Sequence, residues 1–145
     1  MIDISEKEDT QRIATAYGEI VLKKETLIAI EEKTVKKGDV IEVSKISGIN
    51  AAKSTFLNIP HCHPIPISYV EPTMELKKDR IAVKCTVKAY YKTGVEMEAL
   101  SCATSMLLTI WDMVKYLEKD STGNYRDTRI TNIKVIEKWK GKNGA

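Results

Sequence analysis

The chain has 145 residues, of which 43% are hydrophobic and 30% charged. This is enough for one globular domain over residues 1–145 and excludes a disordered protein. The net charge of +3 is far below that of a dedicated nucleic-acid binder, so we expect no nucleic-acid partner. No apolar run reaches the ~20 residues that cross a bilayer, and the charged N-terminus lacks the apolar core of a signal peptide. We therefore expect a cytoplasmic protein with no membrane partner.

The first half of the chain predicts one strand followed by two helices. Alternation of apolar and polar residues over 10–22 indicates the strand, and helix formers over 23–32 predict a short helix. Asp39 is the expected N-cap of a second helix over 40–57. We expect this helix to pack closely through a face of mostly small residues, which is made of Val40, Val43, Ser47 and Ala51.

The second half of the chain predicts a hairpin, a long helix and a final strand. Three prolines exclude a helix over 58–67, so we expect a stiff loop there. Residues 67–77 and 80–91 alternate on either side of a charged turn, which predicts an antiparallel hairpin. A long helix over 93–119 follows, and residues 128–138 are typical of a last strand.

This order of elements predicts an α+β fold. It matches the ferredoxin-like βαββαβ arrangement with an antiparallel sheet and one extra helix in the N-terminal half. The polar chain ends, residues 1–9 and 140–145, are expected to be flexible. Because this architecture hosts many functions, the function has to be argued from particular side chains.

The three cysteines, Cys62, Cys85 and Cys102, are odd in number and lie far apart in the sequence. None of them forms a CxxC pair. We expect Cys85 and Cys102 to be small core residues, and we expect no disulfide framework.

The long helix is the most informative stretch. Thr93 and Glu96 have the spacing of a capping box, and residues 99–111 are apolar or small on almost every side, which predicts a buried helix. A sparse polar line remains on one side, made of Glu98, Ser101, Ser105, Asp112, Lys115 and Lys119. Ion pairs at a subunit contact and contacts with a ligand explain this line equally well.

Both histidines of the chain lie in the proline-framed segment His61-Cys62-His63. Histidine and cysteine are zinc ligands, but neighbours in an extended segment point to opposite sides and no second ligand cluster follows. We therefore predict no metal site. The flanking prolines favour a loop that holds a histidine rigidly as an acid, a base or a hydrogen-bond donor.

Lysines and carboxylates form two further candidate sites. Lys36 and Lys37 precede a helix N-terminus, which is typical either of an anion site or of a solvated turn. Lys53, Lys138, Lys140 and Lys142 could extend that positive surface.

Asp112 and Lys115 lie one helical turn apart, which is typical of a modest salt bridge. Burial beside the apolar Leu108, Trp111 and Val114 would shift the pKa values of the pair and suit it to acid–base work. Glu98 and Asp112 are about 21 Å apart along a straight helix. Either the ligand is long, or two chains contribute opposite ends of this helix to one site.

Five segments in this order, KKGDV, AAKST, the Pro-x-Cys-His-Pro loop, TGVEMEAL and LTIWDMVK, resemble the molybdenum-cofactor biosynthesis protein C family. The resemblance spans residues 3–144. It implies a ferredoxin-like cyclic pyranopterin monophosphate synthase, a lyase. Such enzymes convert (8S)-3′,8-cyclo-7,8-dihydroguanosine 5′-triphosphate, a cyclised dihydro-GTP, to cyclic pyranopterin monophosphate and release pyrophosphate. It also implies a homohexamer built as a trimer of dimers, with sites at subunit contacts and no redox cofactor. A Mg²⁺ requirement stays open.

The resemblance also implies roles for individual residues. Asp112 and Lys115 match a catalytic pair, and Lys37 matches a third residue needed for turnover. The positions that match substrate contacts are His61, Cys62, His63, Glu96, Met97 and Glu98, together with the basic Arg12, Lys53, Lys138 and Lys142, which suit a triphosphate. This chain has His61 where the family usually has leucine, and Lys140 where it has glycine.

Two other functions are consistent with this architecture. An RNA-recognition sheet needs stacking aromatic residues on its strands, and this chain has one phenylalanine and lacks that pattern. A non-catalytic oligomer that binds a nucleotide or senses a small ligand stays open as the alternative. Pyrophosphate release from the cyclised dihydro-GTP distinguishes the enzyme from such a sensor.

Overall fold

The computed structural model describes residues 1–141, so the expectations for residues 142–145, including a substrate contact by Lys142, lie outside the described residues. In chain order the elements are β1 (Thr10–Val21), α1 (Lys24–Glu31), α2 (Val40–Lys53), α3 (Thr55–Asn58), β2 (Ile67–Leu76), β3 (Arg80–Tyr91), α4 (Glu96–Glu118) and β4 (Arg129–Lys140). The strands form one antiparallel sheet in the order β2-β3-β1-β4. This confirms the ferredoxin-like α+β fold. Within residues 1–141, no helix has the length and apolar character needed to span a membrane.

The main core lies between α4 and one face of the sheet. Ala14, Ala16 and Ile20 of β1 are fully buried there, because alternate residues of a strand point to the same face. Gly18 continues this face, and a Cβ atom at that position would lie 2.7 Å from Cδ1 of Leu107 on α4. The glycine therefore allows α4 to pack directly on the central strand.

The prediction that α4 is buried on almost every side is wrong. Its buried side faces the sheet and α2, whereas the side chain of Leu108 on the outer side is 58% exposed. The capping box is wrong as well, because the helix begins at Glu96, and Val95 precedes it without a side-chain cap. The carboxylate of Glu96 binds Lys138 of β4 instead.

The second predicted helix forms as α2 and the short α3. The Asp39 cap is confirmed, since its carboxylate accepts a hydrogen bond from the backbone N–H of Glu42 at 3.2 Å. A close contact through small residues also forms, and its buried residues are Ser44, Gly48 and Ala52 together with Val40 of the predicted face, whereas Val43 of that face is exposed. A Cβ atom on Gly48 would lie 2.8 Å from Met106 of α4, so the two helices approach as closely as a glycine permits.

Cys85 and Cys102 are core residues as predicted, but the expectation of no disulfide is wrong. The two residues form a disulfide bond between β3 and α4, with their Cα atoms 6.1 Å apart. Cys85 lies opposite Ala16 on the core face of the sheet, and both cysteines are fully buried. The pairing depends on the register of β3 and the rotation of α4, which cysteine spacing does not show.

The described parts of both chain ends contact the rest of the fold. In the N-terminal segment, the carbonyl oxygen of Ile2 lies 2.9 Å from Nε2 of His63, and Nζ of Lys92 donates to the carbonyl oxygen of Ser5 at 3.0 Å. At the other end, Lys140 is the last residue of β4. These long-range contacts are not visible in the polar composition of the two segments.

Candidate active site

The predicted substrate residues come together at the N-terminal end of α4. The loop after α3 lies against the start of this helix, and a cavity of about 300 Å³ separates them. Six of the predicted substrate residues line it, namely His61, Cys62, His63, Glu96, Met97 and Glu98. The prolines of the loop and the first turn of the helix therefore bring segments more than 30 residues apart in the sequence to one site.

Glu98 is the most buried polar group of this cavity, with 2% of its surface exposed. Its Oε2 accepts a hydrogen bond from the Cys62 thiol at 3.3 Å, while its Oε1 has no partner among residues 1–141. Burial raises the pKa of Glu98 above its usual value. Burial and the neighbouring carboxylate together raise the pKa of Cys62 to about 11, so that this side chain stays a thiol at neutral pH.

Two further predicted residues, Lys138 and Arg12, lie beside this cavity near Glu96. Nζ of Lys138 lies 2.6 Å from Oε1 of Glu96, and the guanidinium of Arg12 donates to the carbonyl oxygen of Lys92 at 3.2 Å. Burial favours a higher pKa for Glu96, but the bond from Lys138 and the charge of Arg12 act against it, and the pKa lies below its usual value. Arg12 is buried, and its Nε has no partner among residues 1–141.

Lys53 lies in the same region, at the exposed end of α2. The helices α2 and α4 run in opposite directions, since Lys37 before α2 contacts Asp112 near the end of α4, and Ser47 contacts Ser105 at the middle. The end of α2 therefore lies toward the N-terminal end of α4. No hydrogen bond or salt bridge within residues 1–141 links Lys53 to the other predicted residues.

The three predicted catalytic residues form a second cluster at the C-terminal end of α4. Nζ of Lys37 lies 3.0 Å from Oδ2 of Asp112 and also donates to its carbonyl oxygen at 3.0 Å. Nζ of Lys115 lies 3.0 Å from the other carboxylate oxygen, Oδ1, which confirms the predicted pair. One carboxylate thus holds two ammonium groups, one from the loop before α2 and one from its own helix.

Of the two alternatives for Asp112 and Lys115, the single chain shows the salt bridge and not the buried pair. Their side chains are 59% and 42% exposed, because the apolar neighbours pack beneath the pair or face solvent. Hydrogen bonds from Lys37 and then Lys115 hold the pKa of Asp112 below its usual value, and the bond to Asp112 raises the pKa of Lys115. The resting cluster therefore holds an ionised Asp112 carboxylate against the ammonium group of Lys115, with Nζ of Lys37 on its other oxygen.

These two clusters do not meet within the chain. The polar line that joins them is taken up by helix packing, because Ser47 of α2 bonds to Ser105 and Thr109 of α4, each at 2.7 Å. Among residues 1–141, no three His, Cys, Asp or Glu side chains form a group that could hold a metal ion. The chain therefore presents a recessed carboxylate site at one end of α4 and an open lysine–aspartate site at the other.

Sequence reasoning missed the contribution of the N-terminal segment. Residues Ile2 and Ile4 line a cavity next to His61 and His63, and Ile2 holds His63 through its backbone carbonyl. A contact made by a backbone oxygen across some 60 positions leaves no signal in side-chain patterns. Only the folded chain shows that the segment forms a wall of a neighbouring cavity, which shares His61 and His63 with the site.

The fold and the two clusters define a ferredoxin-like α+β protein with acid–base side chains at both ends of one helix. The chain belongs to the MoaC family, whose sequence model matches residues 1–141. It is 56% identical over 140 residues to the probable cyclic pyranopterin monophosphate synthase of Thermoplasma acidophilum, covering 97% of this chain and 98% of that protein. The probable synthases of Aeropyrum pernix (53% identical, 97% of each chain) and Pyrococcus furiosus (50% identical, 97% of this chain and 90% of that protein) are similar as well.

Proposed function

We propose that this chain is a cyclic pyranopterin monophosphate synthase of molybdenum cofactor biosynthesis. As a lyase, it rearranges (8S)-3′,8-cyclo-7,8-dihydroguanosine 5′-triphosphate to cyclic pyranopterin monophosphate and releases pyrophosphate. Membership of the MoaC family and the names of relatives at 50–56% identity support this activity. The arrangement of the chain's own residues supports the roles proposed below.

One observation supports the proposed location of the substrate site. Oε1 of Glu98 and Nε of Arg12 are buried and have no partner among residues 1–141, and Glu98 faces the cavity beside the proline-framed loop. A buried polar atom without a partner is costly, so such atoms indicate a ligand that completes their hydrogen bonds. A guanine-derived ring offers N–H donors to the Glu98 carboxylate. The triphosphate offers anionic oxygens to Arg12, Lys53 and Lys138.

The lysine–aspartate cluster suits the chemical steps. Opening a purine-derived ring and closing a pyranopterin require repeated proton transfers. The ion pair keeps Asp112 ionised and Lys115 protonated, which are the starting states of a base and an acid, while the same pKa shifts weaken both groups until the substrate or a neighbouring copy separates the charges. Lys37 binds the same carboxylate and orients or protonates the substrate. Ammonium groups also stabilise the negative charge that develops as pyrophosphate departs.

A complete site then needs two copies of the chain. The substrate residues and the catalytic residues lie at opposite ends of α4, about 21 Å apart, so one reacting centre cannot touch both within one chain. In the proposed assembly, a homohexamer made of three dimers, the substrate end of one copy faces the catalytic end of a neighbour. That neighbour would also cover the exposed lysine–aspartate cluster and exclude water from it.

The test is to incubate the purified protein with the cyclised dihydro-GTP and to measure pyrophosphate and cyclic pyranopterin monophosphate. Release of both products with repeated turnover is the expected result. Binding of the substrate without pyrophosphate would contradict the proposal and would favour a non-catalytic, ligand-sensing oligomer. The Asp112→Asn variant serves as the control, because it leaves the cavity at the other end of α4 unchanged.

A further inference from the structure

The segment that carries Lys37 is an irregular turn between α1 and α2. Its backbone is closed by a hydrogen bond from the N–H of Gly38 to the carbonyl oxygen of Val35 at 3.1 Å. Gly38 has φ +114°, a conformation that L side chains rarely adopt. This hydrogen bond gives the turn a defined shape. Because it lies within the turn, it does not attach the turn to α4, which carries Asp112.

The turn is attached by the buried side chain of Val35, which belongs to the core, and by a tyrosine of α4 that lies next to Lys37. The hydroxyl oxygen of Tyr116 accepts a hydrogen bond from the backbone N–H of Lys36 at 2.9 Å. The ammonium group of Lys36 lies 5.2 Å from the centroid of the same ring, within the range of a cation–π contact. Tyr116 follows Asp112 by four residues, so both side chains lie on one side of the helix, one turn apart.

The ion pair between Lys37 and Asp112 does not fix the turn by itself. Both partners are about half exposed, and pairs of this kind contribute little because solvent screens them and long side chains lose entropy. A backbone hydrogen bond one residue away restrains the main chain from which Lys37 projects. The position of the Lys37 ammonium therefore depends on Tyr116 as well as on its own ion pair.

Packing does not explain the choice of tyrosine at this position. The side chain is 37% exposed, and it lies outside the buried core formed by α4 and the sheet. A phenylalanine would keep the ring and its contact with Lys36. Only the hydroxyl group adds a function, and its hydrogen bond within residues 1–141 is the one to Lys36.

We infer that Tyr116 is a positioning residue that acts through Lys37: its hydroxyl group holds the turn before α2 against α4, so that the Lys37 ammonium stays at the Asp112 carboxylate. The inference rests on the proposed function, in which Lys37 acts on the substrate. Tyr116 itself takes no part in proton transfer.

The test compares Tyr116→Phe with a matched control, Tyr69→Phe. Tyr69 also carries a lysine over its ring, Lys88 at 5.3 Å, but its hydroxyl has no hydrogen-bond partner within residues 1–141. Two measurements are made on each full-length variant. One is steady-state pyrophosphate release from the cyclised dihydro-GTP, and the other is hydrogen–deuterium exchange of backbone amides over residues 33–39.

For Tyr116→Phe we expect kcat to fall about fivefold, the effect of losing one hydrogen bond, while KM stays within about twofold. The amide of Lys36 should exchange faster, and the melting temperature should change by less than about 2 °C. Tyr69→Phe should match the wild type in every measurement. A change in melting temperature without a change in kcat would show a merely structural role and would overturn the inference.

Three results separate the inference from the proposed function. If the wild type turns over but Tyr116→Phe has the same kcat, the inference is wrong and the proposed function stands. A rise in KM with unchanged exchange over residues 33–39 would also overturn it, because Tyr116 would then contact the substrate. If the wild type releases no pyrophosphate, the proposed function fails, and unchanged exchange of the Lys36 amide in Tyr116→Phe would reject the positioning role by itself.

Discussion

The two ends of α4 carry carboxylates and basic groups in opposite environments. At the N-terminal end, Glu98 is almost fully buried, one of its oxygens has no partner among residues 1–141, and its pKa is raised. At the C-terminal end, Asp112 is largely exposed, both of its oxygens bind lysines, and its pKa is lowered. The same helix therefore presents one carboxylate in need of partners and one that already has them.

This difference indicates how each end works. A buried group with a free hydrogen-bonding atom is prepared for a ligand that enters and completes its bonds. In an exposed ion pair the charges are already present and correctly placed. Water weakens their electrostatic effect until another surface covers the pair. In the proposed assembly, the substrate and the neighbouring copy supply these two missing parts.

The largest effect is expected at the exposed end. Asp112→Asn should lower kcat about 10²- to 10⁴-fold, because the amide no longer accepts protons or holds both lysines, and Lys115→Ala should have an effect of similar size. Steady-state pyrophosphate release measures both. Asp120→Asn is the control, since Asp120 caps the turn after α4 and lies outside both clusters. Turnover close to that of the wild type in either catalytic variant would remove the pair from the mechanism.

A mixing experiment tests whether opposite ends from two chains form one site. Asp112→Asn and Glu98→Gln chains, each nearly inactive alone, should regain activity when they are unfolded and refolded together. Random pairing gives about a quarter of all sites without any substitution, so about a quarter of wild-type activity is expected. Mixing Asp112→Asn with Lys115→Ala is the matched control and should recover nothing, because both changes lie at the same end. Absence of recovery in the first mixture, with mixed oligomers shown by mass spectrometry, would place a whole site in one chain.

A third experiment changes the helix between its two ends. Replacing Cys85 and Cys102 together by alanine removes the bond that ties the middle of α4 to β3 across 17 positions of sequence. We expect the free energy of unfolding to fall by about 3 kcal/mol, as measured in urea. At 25 °C kcat should stay within about twofold, because both ends remain on one packed helix. Cys62→Ala removes a thiol but keeps the disulfide, so it should leave stability much closer to the wild type. Equal stability of the double variant and the wild type would contradict the expected contribution of the bond.

The smallest effect distinguishes the two carboxylates by the pH dependence of stability. Because burial raises the pKa of Glu98 above 4.5, the folded chain binds this proton more tightly than the unfolded chain does, and stability falls as the pH rises between the two pKa values. The Glu98→Gln variant has no carboxyl group to ionise at this position, so it does not lose this stability as the pH rises. Its melting temperature should exceed that of the wild type by about 2–4 °C at pH 8, and the difference should vanish below about pH 4.5.

Asp112→Asn should behave with the opposite sign. Its folded-state pKa lies below 3.8, so the carboxylate contributes stability at neutral pH that is lost as the pH falls through that value. The variant should therefore be slightly less stable than the wild type at pH 8, and the difference should shrink as the pH falls through the folded-state pKa of Asp112. Thermal melts between pH 3 and pH 8 measure both variants. A destabilised Glu98→Gln at pH 8 would show that the buried carboxylate has partners which residues 1–141 do not reveal.

Periodicity in the sequence was enough to predict every strand and the helices to within a few residues, because each pattern reflects one buried face. Asp39 was recognisable as a cap because its partner lies three residues away. The failures have long-range causes. The predicted capping box at Thr93 is absent, and the carboxylate of Glu96 binds Lys138, which lies more than 40 residues along the chain, on β4.

In the candidate site, too, some features were predictable from local sequence patterns and others were not. The types and spacing of Asp112, Lys115 and the proline-framed loop were visible as motifs, and the salt bridge between neighbouring turns of one helix followed from helical geometry. The burial of Glu98 and the exposure of Asp112 were not visible, since both lie on one polar line of a single helix. Their environments differ because the loop after α3 covers one end and leaves the other open.

Local sequence patterns were thus sufficient to predict the helices and strands, their order along the chain and the chemistry of the candidate residues. This is because local hydrogen bonds and hydrophobic periodicity act over a few positions. Tertiary structure decided the disulfide between Cys85 and Cys102, the contact of Ile2 with His63, and the attachment of Lys36 to Tyr116. Each of these depends on strand register and on the rotation of a helix about its axis. The packing of the whole core sets both quantities, and no local stretch of sequence contains them.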